Sequence, residues 1–334
     1  MSHLPAEFQA FVAEKFDGRV ERGVRSFLAA DLAPGEVTVR IDWSSVNYKD
    51  GLATIPNGKV ARISPLIPGI DLAGEVIASD HPEFTPGLPV LAHGYALGVS
   101  RHGGFAQYTL LPAGWVVPLP DGLTARDAMT IGTAGFTAAL SIARLEARGL
   151  SPSDGPVLVT GASGGVGRTA VAILLERGYE TWASTGKAVA HEDLLALGVA
   201  GILTREDVTA ESARPLEQER WAAAIDSVGG ATLPYLLRTL RYDGAVAASG
   251  NTGGAALATT VFPFILRGVS LIGIDSAGLA IAERRSIWER LAADLRPRAL
   301  GDRITEISLD GLPEALDGIL AGQAHGRWLV RVAE

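Results

Sequence analysis

The clearest candidate functional motif in this sequence is a set of three glycines spaced three residues apart. Gly161, Gly164 and Gly167 lie in the segment Val-Leu-Val-Thr-Gly-Ala-Ser-Gly-Gly-Val-Gly, which begins with a short apolar run and leads into a helical pattern. Glycines at this spacing let the backbone turn sharply and approach a pyrophosphate, and the N-terminus of the helix offers N–H groups to the phosphates. The motif therefore predicts a dinucleotide site; a glycine-rich structural turn is the alternative. The predicted contacts are Ser163, Gly164, Gly165 and Val166.

The same segment also fits the Gly-x-Ser-x-Gly turn that presents a nucleophilic serine in hydrolases. Ser163 would be that nucleophile, and Asp226 and His325 follow it in the order that one such triad requires. Gly167 has no purpose in a nucleophile turn, however, and the strand-rich front of this chain does not belong to that fold. The dinucleotide site is therefore the favoured interpretation.

The end of the second predicted strand of this region indicates which nicotinamide nucleotide would bind. An NAD site usually carries Asp or Glu there to bind the ribose, and a carboxylate would repel a 2′-phosphate. Ser184 and Lys187 offer a hydroxyl and a positive charge instead, which favours NADP(H). A solvated loop charge is the alternative for Lys187, and Arg205 either shares the phosphate or has a surface role. Asn251 follows the fifth strand, where it either meets the cofactor or caps its own loop.

The chain shows two different patterns of predicted secondary structure around these residues. The front of the chain is typical of a mostly antiparallel β domain, with strands predicted at 36–43, 71–78, 89–92, 105–110 and 115–118. From residue 157 onward, strands alternate with helices, and the strands are predicted at 157–160, 180–184, 201–203, 222–227, 245–249 and 270–274. Six strands with intervening helices predict a doubly wound parallel sheet.

The tail contains a predicted helix at 282–295, a strand at 304–308, a helix at 312–321 and a strand at 327–332. We expect this tail to return to the first domain. The predicted organisation is an α/β protein in which residues 1–123 and 281–334 form a β-rich domain and residues 124–280 form an inserted nucleotide-binding domain.

The composition of the chain limits its domain number, its binding partners and the kinds of metal site it can have. The 334 residues are enough for about two domains. Hydrophobic residues make up 47% of the chain and the formal net charge is −8, so we expect a folded protein whose acidic surface attracts neither nucleic acid nor an anionic membrane. The chain has no cysteine, which excludes disulfides and thiolate metal sites. No secretory leader is expected at the N-terminus, and the composition fits the cytoplasm.

Several segments together resemble the medium-chain dehydrogenase/reductase superfamily, and within it the zinc-free acrylyl-CoA reductase family, which is related to quinone oxidoreductases. The segments are Ser-Ser-Val-Asn-Tyr-Lys-Asp (44–50), Ile-Pro-Gly-Ile-Asp-Leu-Ala-Gly-Glu (67–75), the glycine segment (157–167), Ala-Ile-Asp-Ser-Val-Gly (224–229), and Thr-Val-Phe-Pro-Phe-Ile-Leu-Arg (260–267) with Gly-Ile-Asp-Ser (273–276). The resemblance implies a β-rich, GroES-like catalytic domain with an inserted Rossmann domain.

The residues of this chain do not suit the zinc-dependent branch of that superfamily. Ile70 and Asp71 stand where that branch carries its His-Glu pair, and its cysteine ligands are absent. The six histidines show no i, i+4 ligand spacing. We therefore expect no zinc.

The resemblance also implies the reaction and the residues that perform it. It implies NADPH as the cofactor, a short enoyl thioester such as acryloyl-CoA as the substrate, and a homodimer, for which strand 270–274 is the candidate edge. Tyr48 is the candidate proton donor, beside Asn47, and the alternatives for the two are packing and turn formation. Further cofactor contacts are expected at Thr133, Thr137, Asp275 and Ser276. Arg327, near the last strand, either reaches the cofactor or forms an ordinary surface ion pair. A quinone or another enone as acceptor, and a non-catalytic NADPH-binding sensor, remain alternatives.

Overall fold

The computed structural model describes residues 4–323 and 326–333, and the side chains of residues 300–302 are not described. It divides the chain into two compact units. Unit 1 comprises Met1–Thr133, Ala277–Ala292 and Gly301–Glu334, and unit 2 comprises Ala134–Ser276 and Ala293–Leu300. The sequence predicted the first boundary at residue 124 and assigned 293–300 to the same domain as the tail, so both assignments differ from the structure.

The first boundary differs because helix α2, Ala125–Glu146, runs through it. The helix is broken at Gly132, where φ is 54° and ψ is −167°. This backbone conformation is almost exclusive to glycine. The chain therefore changes unit directly after the break rather than at the start of the helix.

Unit 1 is built on a seven-stranded sheet. Six strands follow the order β14-β15-β3-β4-β5-β7, and β6 pairs with β3. All of its pairs are antiparallel except β14 with β15. The strands are β3 (Val37–Ser45), β4 (Asp71–Ser79), β5 (Pro89–His93), β6 (Tyr108–Leu111), β7 (Val117–Pro118), β14 (Ile304–Ile307) and β15 (Arg327–Arg331), and the helices are α1 (Tyr48–Ala53), α8 (Ile281–Ala292) and α9 (Leu312–Leu320). The tail therefore joins the front of the chain, as predicted.

An N-terminal hairpin that the sequence did not predict completes this unit. Strands β1 (Glu7–Phe16) and β2 (Arg19–Leu28) pair antiparallel. Most of β2 is exposed or half-buried, so its apolar pattern is weak. Strand β1 instead buries Phe8, Phe11 and Val12 in the same core as β3 and β4.

Unit 2 carries the doubly wound parallel sheet, and the predicted α/β fold class is confirmed. The strand order is β10-β9-β8-β11-β12-β13, and all five pairs are parallel. The order reverses between β8 and β11, and such a switch point is where dinucleotides bind in this fold. The strands are β8 (Val157–Thr160), β9 (Thr181–Ser184), β10 (Gly201–Leu203), β11 (Trp221–Asp226), β12 (Leu240–Ala248) and β13 (Ser270–Gly273), and the helices besides α2 are α3 (Gly165–Glu176), α4 (His191–Leu197), α5 (Arg205–Thr209), α6 (Thr232–Thr239) and α7 (Phe262–Arg267).

Helix α2 is the one described helix that is long and apolar enough to cross a membrane by length and composition. Its most apolar window is 83% buried inside the protein, as is typical of a core helix.

Candidate active site

The glycine segment forms the turn between β8 and α3. Gly161 has a φ of +58°, and a Cβ there would lie 2.5 Å from Ser227 Oγ. A Cβ at Gly167 would lie 2.7 Å from the carbonyl carbon of Gly161, so this glycine lets α3 pack closely against the end of its strand. Gly164 precedes the first turn of α3 and no side chain caps it. The turn therefore offers the backbone N–H groups of a helix start to an anion.

The triad of the hydrolase alternative is not assembled among the described residues. Ser163 Oγ lies 2.8 Å from Thr185 Oγ1. Asp226 accepts a hydrogen bond from Thr160 and from the backbone N–H groups of Val228 and Gly229, and His325 lies outside the described residues. In residues 4–323 and 326–333, Ser163 therefore meets a hydroxyl rather than the base that a nucleophile turn needs.

Asp226, which the sequence suggested only as a member of the hydrolase triad, instead links two strands at the switch point of the sheet. It is wholly buried at the end of β11, and its hydrogen bond from Thr160 ties the ends of β8 and β11 together. Burial raises the pKa of its carboxyl, and the hydrogen bonds from Thr160, Gly229 and Val228 lower it. An aspartate at the end of a parallel strand, followed by glycines, is the sequence signal that could have identified it.

The predicted 2′-phosphate contacts gather at the end of β9. Ser184 is its last residue and is buried. The next hydroxyl, Thr185 Oγ1, meets Ser163 Oγ and accepts the backbone N–H of Lys187 at 3.1 Å. A Cβ at Gly186 would lie 2.9 Å from Arg205 Nε, so the guanidinium of Arg205 lies against this loop. Hydroxyls and a guanidinium are the groups that recognise a phosphate.

Other predicted cofactor contacts of unit 2 follow β12 and β13. Thr137 Oγ1 donates to Ser276 Oγ at 2.7 Å, so these two predicted residues do meet. Asn251 and Asp275 are both exposed. The loop of Asn251 is held by its backbone, since Gly253 N donates to Val228 O at 2.7 Å and Gly230 N donates to Gly254 O at 3.0 Å.

The predicted residues of unit 1 converge on a residue that was not predicted as a site residue, Asp71. Its carboxylate is wholly buried at the start of β4. One oxygen, Oδ2, accepts Ser45 Oγ at 2.6 Å, Asn47 Nδ2 at 2.8 Å and the backbone N–H of Thr133 at 3.0 Å. The other oxygen accepts the hydroxyl of Thr133. The sequence signal was present, because Asp71 stands where the zinc branch carries a glutamate, but it served only as an argument against zinc.

Arg327, a predicted cofactor contact, lies beside this carboxylate. Its Nη2 is 4.0 Å from Asp71 Oδ2 and donates to Ser45 Oγ at 2.9 Å, and its Nε donates to Thr130 O at 3.2 Å. Burial lowers the pKa of its guanidinium, while the charges of Asp71 and Asp50 raise it. The structure thus gives Arg327 an internal role, and direct contact with a cofactor stays a prediction.

Tyr48 is the first residue of α1 and is 48% exposed. The residue before it, Asn47, is buried, and its backbone N–H donates to Asp50 Oδ2 at 2.8 Å. Asp50 Oδ1 accepts the backbone N–H groups of Gly69 and Ile70. Burial, with the charge of Asp71, raises the pKa of Asp50 to about 7. The start of α1 is therefore tied to the loop before β4, with the phenol of Tyr48 partly exposed to solvent.

His93 lies next to Thr133 and extends the group of polar side chains around Asp71 in unit 1. Trp288 Nε1 donates to His93 Nε2 at 2.9 Å, and His93 Nδ1 lies 3.4 Å from Thr133 Oγ1. Burial, and then the charge of Arg284, lower the pKa of the imidazole well below its usual value, so the ring is neutral. In residues 4–323 and 326–333, no three His, Asp or Glu side chains form a group that could hold a metal ion.

Comparisons with known proteins agree on one family. Residues 33–121 match the alcohol dehydrogenase GroES-like domain. The chain is 46% identical to the acrylyl-CoA reductase AcuI of Ruegeria pomeroyi, over 97% of this chain and 99% of that protein. It is 47% identical to the "putative quinone oxidoreductase YhfP" of Bacillus subtilis, over the same shares. The crystal structure of the yhdH oxidoreductase from Salmonella enterica in complex with NADP has a TM-score of 0.94 and 47% identity, covering 97% of this chain and all of that one. The crystal structure of YhfP has NAD bound, with a TM-score of 0.95.

Proposed function

The chain belongs to the medium-chain dehydrogenase/reductase superfamily, in the acrylyl-CoA reductase family of quinone oxidoreductase-like proteins, and from that premise we propose that it reduces the C=C bond of acryloyl-CoA to give propanoyl-CoA. It is an NADPH-dependent oxidoreductase. The observation that carries the substrate assignment is the similarity to acrylyl-CoA reductases, together with a partly exposed tyrosine on a rigidly held helix start.

The residues of unit 2 fit NADPH. The uncapped start of α3 and the glycines before it suit the pyrophosphate. Ser184, Lys187 and Arg205 suit the 2′-phosphate, because hydroxyls and cations at the end of β9 attract the group that a carboxylate would repel. We assign nicotinamide contacts to Thr137 and Ser276, which already share a hydrogen bond.

The chemistry follows from the polarity of the substrate. NADPH, when bound, would supply a hydride, which an enoyl thioester can accept at its β-carbon because its π electrons can move to the carbonyl oxygen as an enolate. Tyr48 donates its phenolic proton to the α-carbon. The electron pair of the enolate C=C bond forms the new C–H bond, the carbonyl group is restored, and the remaining phenolate takes up a proton from water. A phenol suits this step because its pKa, about 10 in the reference state, keeps it protonated at neutral pH. A positioned donor contributes about 10²–10⁴-fold to the rate.

Quinone reduction is a second candidate, favoured by the name of the YhfP relative. A quinone accepts a hydride without needing a proton at carbon. The two functions therefore differ in how much they depend on Tyr48.

The first experiment follows NADPH and, separately, NADH absorbance with acryloyl-CoA and with a simple quinone. We expect rapid NADPH oxidation by acryloyl-CoA, and a Tyr48→Phe variant slower by about 10²–10⁴-fold. Tyr242→Phe is the matched control, because Tyr242 lies in unit 2 and is 74% exposed; it should retain wild-type rates. Turnover of the quinone without turnover of the thioester would contradict the substrate assignment. Tight NADPH binding without turnover of either would support the sensor alternative.

We also propose that the protein is a cytoplasmic homodimer that pairs through β13. This strand ends the sheet of unit 2, and the adjacent α7 exposes apolar side chains, with Phe262 at 43% and Ile265 at 67%. An unpaired edge with exposed apolar neighbours is a surface that a second copy can cover. The exposed apolar residues of this surface are Val261, Phe262, Ile265, Leu266 and Leu271.

A further inference from the structure

We propose that Asp71 is the positioning residue of this reductase: it takes up the donors of Ser45, Asn47 and Thr133, so that within this cluster the Tyr48 phenol is the group that gives a proton to the substrate. This inference rests on the proposed function and adds a residue to which no role in the reaction has been given.

Every hydrogen bond at the Asp71 carboxylate runs in one direction, from a neighbouring donor to the carboxylate. An ionised carboxylate only accepts, and Asp71 is surrounded by a hydroxyl, an amide, a backbone N–H and a second hydroxyl, with the Arg327 guanidinium 4.0 Å away. Each hydroxyl has a single proton. The protons of Ser45 and Thr133 are therefore turned toward Asp71, and neither hydroxyl can donate to a developing enolate.

Asn47 is the residue that the sequence suggested as a partner for the substrate carbonyl. Its Nδ2 carries two protons, and the structure gives it Asp71 Oδ2 at 2.8 Å and Ser45 O at 3.3 Å as acceptors. Its Oδ1 lies 3.4 Å from Arg327 Nη1. The amide is thus engaged on both sides, and we assign Asn47 to positioning rather than to contact with the substrate.

The polypeptide chain connects this cluster directly to Tyr48. Asn47 precedes α1 directly, so the carboxylate that holds its amide also holds the start of the helix. The backbone N–H of Asn47 is fixed independently by Asp50. Tyr48 follows as the first helical residue, and it is the one member of this group that is substantially exposed.

Replacing Asp71 by asparagine would remove the acceptor that holds these donors in place. The new amide brings two donors into a pocket that already presents donors from three residues, and it leaves the buried Arg327 without its carboxylate. Buried donors without acceptors and buried charges without partners rearrange or draw in water. We expect Ser45, Asn47 and Thr133 to turn away, and the start of α1 to lose its fixed position.

A double-mutant cycle tests the coupling between Asp71 and Tyr48. Asp71→Asn is expected to lower kcat for acryloyl-CoA by about 10–100-fold when Tyr48 is present, but by less than about threefold in the Tyr48→Phe background, because a residue that acts through Tyr48 has little left to lose. Binding of adenosine 2′,5′-bisphosphate, the part of NADPH whose predicted contacts lie in unit 2, should stay within about threefold of wild type in calorimetry. Additive losses in the cycle would overturn the inference.

A second readout does not depend on rates. Reduction of acryloyl-CoA in D₂O creates a chiral α-carbon bearing one deuterium. The wild type should deliver deuterium to one face, and Asp71→Asn should give a mixture of both faces; Asp71→Glu, which keeps the charge, should restore part of the selectivity. Retention of full selectivity by Asp71→Asn would overturn the inference.

Two further controls keep the outcomes separate. If Asp71→Asn does not fold, Asn47→Ala replaces it in the cycle, and the same coupling with Tyr48 is expected. Absence of thioester reduction by the wild type would overturn both the proposed function and this inference. Reduction by the wild type with an additive cycle would overturn the inference alone.

Discussion

Substitution of Gly132 by alanine is the most direct test of how closely the polar side chains around Asp71 pack in unit 1. Gly132 breaks α2 with φ 54° and ψ −167°, next to the Asp71 carboxylate and the Arg327 guanidinium. A Cβ at this position would overlap Arg327 Nη2 and would lie 2.7 Å from Asp71 Oδ2 and 2.9 Å from Ser45 Oγ. The substitution therefore combines backbone strain with a steric clash against a buried ion pair.

The magnitude follows from these two effects. A residue with a side chain in this backbone region costs about 1–3 kcal/mol, and forcing additional volume into a packed interior costs about 1–3 kcal/mol more. We expect Gly132→Ala to lower the free energy of unfolding by about 2–6 kcal/mol. For a unit of this size, that loss lowers the Tm by roughly 4–24 °C.

Differential scanning calorimetry and urea unfolding would measure the loss. Gly122→Ala is the matched control, because Gly122 also has a positive φ, +84°, but a Cβ there would meet nothing within 4 Å. It should show only the cost of backbone strain, about 1–3 kcal/mol. Equal losses in the two variants would refute the claim that Gly132 is required by the close approach of Asp71, Ser45 and Arg327.

Three further predictions concern the cofactor, pH and assembly. Arg205→Ser should raise the KM for NADPH by about 10–100-fold and leave that for NADH nearly unchanged, because a charge-assisted hydrogen bond contributes about 1.5–3 kcal/mol; equal effects in initial-rate measurements with the two cofactors would contradict the 2′-phosphate assignment. The pKa of Asp50 is about 7 in the folded protein against an ordinary value of 3.8, so the folded state binds more protons in this window and its stability falls as pH rises from about 4 to 7. Asp50→Asn should remove that component, and urea unfolding at pH 4.5 and 7.5 would reveal an unchanged pH dependence if the reasoning is wrong. Ile265→Glu should convert a dimer to a monomer in sedimentation experiments, whereas Val189→Glu, also on an exposed apolar residue of unit 2, should not; a dimer that survives Ile265→Glu would contradict pairing at this edge.

The nucleotide-binding unit could be predicted from the sequence because its signals are local. The glycines of the turn, the apolar strand before them and the helix after them lie within one short segment, and each carries a conformational requirement that can be read without knowing the rest of the fold. The alternation of strands and helices then leaves few topologies, since crossovers between parallel strands are right-handed.

The N-terminal hairpin was missed because one of its strands has little apolar periodicity. Residues of β2 are mostly exposed or half-buried, with Phe27 as its buried side chain, so the strand is stabilised mainly by its ladder to β1. Backbone pairing between strands leaves no clear pattern in the sequence of either strand.

The residues of the candidate site also fall into two groups, those indicated by the sequence and those identified only by the tertiary structure. The sequence alone determined the residues that suit a phosphate, because these depend on residue type and on neighbours along the chain, and the family resemblance of segment 44–50 implied Tyr48 as the candidate donor. Only the tertiary structure identified Asp71 as the residue on which Asn47 and Thr133 converge, and it placed Arg327 there through a contact with Ser45, 282 residues away in sequence. A buried carboxylate acquires its role from the donors that the fold brings to it, and three strands, a helix start and the break at Gly132 must all be in place before that set of donors exists.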